Sequence, residues 1–144
     1  MRIEKIAYKE ERGQPMLEVA TSQISLEAGL AGDISGKPGT RQITLLSADV
    51  WQEVCAELSE QVPWTVRRAN LLVAGVRFKQ SDVGRILHIG DVQIEITRET
   101  VPCKLMDAQV SGLLAALNKE WRGGVCGRVV AGGNIEVGDN AHWA

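Results

Sequence analysis

Fifteen glycines are scattered over 144 residues, and they cut the chain into short segments separated by turns. Such punctuation suits a β-rich fold better than a bundle of long helices. The segments agree with this. Residues 2–8 set Ile3 and Ile6 among charges and read as a strand, followed by a short one at 16–19. Residues 29–39 carry four glycines and a proline and must be a loop. Strand-like compositions return at 41–46, 66–73, 125–130 and 134–137. Residues 86–89 and 92–97 form a hairpin about Gly90-Asp91, a pair suited to a type II′ turn. In its second strand Val92, Ile94 and Ile96 share one face.

Two segments break this rhythm. Ser47 is a good N-cap, Asp49 suits a first turn, and Val50, Val54 and Leu58 recur at helical spacing with Trp51 and Cys55 beside them. This predicts a helix over Ala48–Leu58. A second helix is expected over 110–119 through Leu113, Leu114 and Leu117, with Gly123-Gly124 ending the region. The sum is one domain over 1–144, mainly β, with seven or eight short strands and about two helices. A closed or partly closed β-barrel hides that many strand edges.

Composition narrows the function. The net charge is -2 and the pI about 5.7, with no basic excess for nucleic acid or an anionic membrane. The charged start MRIEKIAYKEERG has no apolar signal core, and no apolar window is long enough to span a bilayer. A cytoplasmic location is expected. Three irregularly spaced cysteines suggest free thiols rather than a disulfide framework. No CxxC occurs, and His88 and His142 lack metal-ligand spacing, so a zinc site is not expected.

Four segments can carry chemistry. In Thr100-Val101-Pro102-Cys103-Lys104, the proline fixes its own φ at a strand exit. Arg98 and Lys104 flank Cys103, and nearby positive charge favours a thiolate that binds soft metals or attacks electrophiles. The bland alternative is a small buried hydrophobe. In Trp121-Arg122-Gly123-Gly124-Val125-Cys126-Gly127-Arg128, paired glycines admit a ligand or another backbone, and the arginines could grip phosphate. There the alternative is a turn entering a barrel strand with Cys126 packed inside. Within Arg67-Arg68-Ala69-Asn70, Arg68 and Asn70 share a face in a strand and Arg67 and Asn70 in a helical turn. Either pairing could meet an anion, or the arginines are simply solvated. Finally, Asp33 in Gly29-Leu30-Ala31-Gly32-Asp33 could cap a backbone amide or orient Arg41.

Taken in order, Gly29-Leu-x-Gly-Asp33, Arg41 to Leu46, Asn70-Leu-Leu-Val-x-Gly75, Gly90-Asp91, Pro102-Cys103 and Gly127 to Gly138-Asp139 resemble the MOSC family, named for the C-terminal domain of molybdenum-cofactor sulfurase. The resemblance runs over residues 27–140 and is closest to a short, stand-alone branch. It implies a β-barrel with a few helices that binds molybdenum cofactor. Cys103 matches the family's characteristic cysteine and would be the molybdenum ligand or a persulfide carrier, with Cys126 as its rival. Asn70 matches a family asparagine, and Arg41, Arg67, Arg68 and Arg128 are candidate pterin-phosphate contacts. Where larger members have His-Gly-Gly this chain has Lys37-Pro38-Gly39-Thr40-Arg41, and Ala69 replaces an acidic residue. The implied activities are reduction of N-oxygenated small molecules, or transfer of sulfur or cofactor without turnover. The implied partners are a cysteine desulfurase or an electron-transfer protein. No lysine sits in a pyridoxal phosphate site.

Overall fold

The computed structural model describes residues 1–103 and 106–144. Its strands are β1 (Arg2–Tyr8), β2 (Leu17–Val19), β3 (Thr21–Ser25), β4 (Gly29–Leu30), β5 (Ile43–Ser47), β6 (Leu71–Ala74), β7 (Ile86–Ile89), β8 (Val92–Glu99), β9 (Val125–Ala131), β10 (Gly133–Glu136) and β11 (His142–Trp143). Among the described residues there are three α-helices: α1 (Ala48–Leu58), α2 (Met106–Gln109) and α3 (Leu113–Leu117). An eight-stranded sheet runs β11-β7-β8-β9-β5-β6-β1-β2, and β10-β3-β4 form a second, smaller sheet. Among the described residues only β5 and β6 pair in parallel, because α1 makes the crossover between them.

The large sheet curls until its ends meet. The amide of Ile3 donates to Asp139, and the amides of Gly138 and Ala141 donate to Ile3 and Met1. The same C-terminal segment then pairs with β7 through His142 and Trp143. Residues 138–143 thus bridge β1 to β7 and cover edges that would otherwise template further strands.

Local sequence accounts for the details. Ile3 and Ile6 are three apart, so strict alternation would put them on opposite faces. A register shift against β6 between Ile3 and Lys5 inserts the extra residue, and both isoleucines are buried in the barrel. At the β7–β8 turn Gly90 takes φ 57, and Asp91 stays out of the positive region, as the type II′ expectation requires. Helix α1 has the predicted bounds, and the Ser47 side chain accepts from the Val50 amide at 3.1 Å.

Two expectations need correction. The strand expected at 66–73 begins only at Leu71, because Trp64–Val66 makes a 3-10 turn and Arg67 to Asn70 lead into the strand without belonging to it. The helix expected at 110–119 is shortened to α3 at Leu113–Leu117, because Gly112 takes φ 84 just before it, and α2 at Met106–Gln109 precedes the expected span.

Apolar side chains form two cores. One fills the barrel, with Ile6, Leu45, Leu71, Leu87, Ile94 and Val125 all fully buried. The other lies outside the barrel wall, where Leu46 and Leu72 meet Trp51, Val54, Leu113 and Leu117 of α1 and α3. Strands β5 and β6 are therefore buried on both faces, which explains their unbroken apolar runs. Across the helical layer Lys119 and Arg122 both pair with Glu57 of α1. Their hydrogen bonds, Lys119 first, hold the Glu57 carboxyl below its ordinary range. That small surface contribution is complete above the ordinary carboxylate range and lost as pH falls through the lowered value. No helix among the described residues is long and apolar enough to cross a membrane.

Candidate functional site

The exit of β8 and the entrance of β9 build the site. A second register shift, between Ile96 and Arg98, marks the end of β8. The Thr97 hydroxyl there donates to the Thr40 and Cys126 carbonyls, tying the long loop before β5 to β9. Beyond Glu99 the Thr100 amide donates to Gly124 at 2.9 Å. Gly123 and Gly124 are required here by neighbouring backbone. A Cβ on Gly123 would lie 2.4 Å from the Thr100 carbonyl oxygen, and one on Gly124 would lie 2.3 Å from that of Leu45. Of the two uses foreseen for these glycines, the close approach of another backbone is the one observed.

Between this junction and the loop before β5 lies a cleft of about 630 Å³. Lys37, Arg41 and Arg68 bring three cations to its wall, and Thr40, Thr44 and Thr100 bring hydroxyls. Glu99 is its one carboxylate among the described residues, and Cys126 also lines it. Cys126 is buried, and its Sγ lies 3.3 Å from the Thr100 Oγ1. Cys103 is exposed, beyond Val101 and Pro102 of the same rim, and is not itself part of the cleft lining. Asp33 accepts from the amides of Lys9 and Ser35, at 3.0 and 3.2 Å, so it caps backbone as foreseen. The arginine it orients is Arg68, 3.8 Å away, rather than Arg41. Arg68 also donates to the Ser35 hydroxyl at 2.6 Å.

Arg67 lies behind the cleft wall, 5% exposed. Its Nη2 donates to the Gly123 carbonyl at 2.6 Å and the Thr100 carbonyl at 3.3 Å, and its Nη1 to the Met106 sulfur at 3.8 Å. One guanidinium thus ties the β8 exit to the β9 entrance. Its Nε has no acceptor among the described residues, nor is any carboxylate within ion-pair distance. Burial lowers its affinity for its proton, while Cys126 and then Cys103, the nearby groups able to carry negative charge, oppose that shift. A buried cation without a carboxylate calls for other negative charge nearby. Among the described residues its oxygen acceptors are the Thr100 and Gly123 carbonyls.

Other expected site residues are placed elsewhere. The Asn70 side chain accepts from the Thr44 amide at 2.9 Å and donates to the Ala7 carbonyl at 3.2 Å. It bridges β5 and β1 at the point where β6 begins, with its amide oxygen and its amide nitrogen each bonded to backbone. Asn70→Ala is expected to cost about 2–4 kcal/mol in urea unfolding, because two buried backbone groups lose their partners. A loss under about 1 kcal/mol would mean that solvent replaces the amide. Arg128 lies outside the cleft lining and pairs with Glu95, and Arg122 pairs with Glu57. His88 and His142 stack across β7 and β11 with ring centroids 5.1 Å apart. No cluster of three or more metal-ligating His, Cys, Asp or Glu residues occurs among the described residues. Lys104, named with Cys103 at the sequence level, lies outside the described residues.

The reading from sequence passed over Lys37, Thr44, Glu99 and Thr100 as site residues. Lys37 had a signal, since it precedes a proline in the glycine-rich loop that ends at Arg41. Thr44 and Glu99 are ordinary strand residues and had none.

The fold is thus a barrel with a cationic, thiol-bearing cleft where β8 ends and β9 begins. The MOSC domain family model matches residues 28–142, and the chain belongs to that family. No curated protein matches the chain. Among solved structures, the YuaD protein of Bacillus subtilis superposes with a TM-score of 0.80 at 15% identity, covering 97% of this chain and 93% of that one. YiiM from Escherichia coli gives a TM-score of 0.71 at 21% identity, covering 100% of this chain and 70% of that one. YiiM from Geobacillus stearothermophilus gives 0.76 at 17% identity, covering 99% and 74%. At these identities the likeness extends to the fold.

Proposed function

We propose that the chain binds molybdenum cofactor in the cleft, with Cys103 as the thiolate ligand, and serves as a reductase of small N-oxygenated compounds. The observation that carries the reading is the donor set: Lys37, Arg41 and Arg68 around a cleft of about 630 Å³, with the Arg67 guanidinium behind it lacking any carboxylate partner among the described residues. An anionic pterin phosphate fits the three outer cations, and a thiolate is a natural ligand for a soft metal. Cys126 is held in the sheet against Thr100, whereas Cys103 is exposed on irregular backbone next to the cleft rim and is free to meet a ligand. When bound, the cofactor supplies a metal that exchanges electrons and oxygen with the substrate. The chain's own residues then have three tasks. Lys37, Arg41 and Arg68 bind and orient the phosphate. Arg67 holds the thiol-bearing rim in place and supplies positive charge. Thr100 fixes the buried Cys126 sulfur.

The test is molybdenum and pterin analysis of protein made in a cofactor-producing host and purified without oxygen. Wild type is expected to carry both, Cys126→Ser to keep most, and Cys103→Ser to retain only a fraction of the molybdenum. Retention in Cys103→Ser with loss in Cys126→Ser would make Cys126 the ligand, and no molybdenum or pterin in wild type would overturn the reading. The exposure of Cys103 favours a second reading, a sulfur carrier loaded by a cysteine desulfurase. That reading predicts a mass gain of one sulfur atom on Cys103 without any pterin.

A further inference from the structure

The chain has two histidines, and their spacing matches no metal motif. The fold nevertheless brings them together. His142 of β11 is the register partner of His88 in β7. Directly opposed side chains of an antiparallel pair project from the same face. The two ring centroids lie 5.1 Å apart with 21° between the planes. That face is the outer one: Leu87 and Ile89, on either side of His88, are fully buried in the barrel, whereas His88 is half-buried and His142 exposed. Gln93, the partner of His88 on β8, continues the row.

The backbone carrying His142 is held from within. Trp143 packs against the barrel core and meets Phe78 edge-on with centroids 6.3 Å apart, and the Arg85 guanidinium lies 4.2 Å from the indole centroid. The Ala144 amide then donates to the Ile86 carbonyl at 2.9 Å. Among the described residues, no nitrogen of either imidazole takes part in a side-chain hydrogen bond or an ion pair.

We propose that His88 and His142 form a binding site for a divalent transition-metal ion of the kind imidazole prefers, such as zinc, nickel or copper. Such an ion sits about 2.1 Å from each nitrogen, and two imidazoles joined by it at a tetrahedral angle have centroids about 5 Å apart. The observed separation matches, so the strands need not move and the rings only turn about χ2, a soft torsion. Two protein nitrogens make an open site, with water in its other positions and Gln93 next in the row. A bound ion ties the short last strand to β7 and so fastens the closure of the barrel. The site is separate from the thiol cleft, whose described lining includes no residue of β7 or β11.

Zinc titration of the metal-free full chain, followed by NMR of the imidazole ring protons, tests the site. Two histidines give two sets of ring signals, each assigned by its own variant. Both sets are expected to shift and saturate together. His88→Gln and His142→Gln alter rings outside the buried core, and each is expected to weaken zinc binding at the remaining ring about a hundredfold, because the second tethered ligand is gone. Zinc at about a hundred times its dissociation constant should raise the melting temperature of wild type by about 5–10 °C, with most of that rise lost in each variant. Zinc taken up by a thiol alone leaves both ring sets unmoved, and that result would overturn the proposal. So would a response of one ring only, wild-type zinc affinity in either variant, or an equal thermal rise in both.

Discussion

Gly124→Ala is expected to destabilise the protein by about 3–5 kcal/mol, the range reserved for severe backbone conflicts. Two independent penalties coincide there. Gly124 takes φ 95, which strains any L side chain, and a Cβ would lie 2.3 Å from the Leu45 carbonyl oxygen of β5. Relief would require separating β9 from β5 within the barrel, where Leu45 pairs with Val125 next to this glycine. The melting temperature should fall by about 10–17 °C, measured by circular dichroism. Gly138→Ala is the control, because it shares a positive φ but its Cβ would meet nothing within 4 Å. Equal losses at both positions would show that φ alone governs the effect and that the close approach to β5 adds nothing.

The second large effect belongs to Arg67. Arg67→Met keeps much of the side-chain volume but removes the donors to the Thr100 and Gly123 carbonyls. Two buried carbonyls then lose charged donors, offset in part because a buried guanidinium disappears. The net loss is expected to be about 2–4 kcal/mol by urea unfolding. The β8 exit and the β9 entrance should also come apart locally, read as faster hydrogen exchange at the Thr100 amide, which donates to Gly124 across this junction. Arg67→Lys retains the charge without the planar fork and should recover only part of the loss. Wild-type stability together with unchanged Thr100 exchange in Arg67→Met would contradict the clamp.

The legible parts of this chain are those where one local rule decides. Ser47 and the spacing of Val50, Val54 and Leu58 specify α1 because capping and amphipathic burial agree there. Gly90-Asp91 specifies a hairpin because the turn demands a positive φ. The illegible parts depend on distant partners. Strands β3, β4 and β11 are short, and β3 runs Thr-Ser-Gln-Ile-Ser, so their pairing comes from the barrel and not from composition. The bulge that buries both Ile3 and Ile6 is visible only against β6. At the site the cysteines, Arg41 and Arg68 could be named from sequence, and the cleft brings Arg41, Arg68 and Cys126 together. Spacing could not separate Arg67 from Arg68. The two are adjacent, yet one is buried as a clamp between carbonyls and the other faces the cleft. Asn70 matched a family position, but its two backbone partners come from Ala7 and Thr44, which sequence order does not bring near.

We propose that a protein thiolate from Cys103 ligates molybdenum held in this cleft. X-ray absorption at the molybdenum edge of the loaded protein tests it most directly. Wild type and Cys126→Ser are expected to share one spectrum, and partially loaded Cys103→Ser to lose one sulfur neighbour in favour of oxygen. An unchanged sulfur shell in loaded Cys103→Ser would contradict the claim.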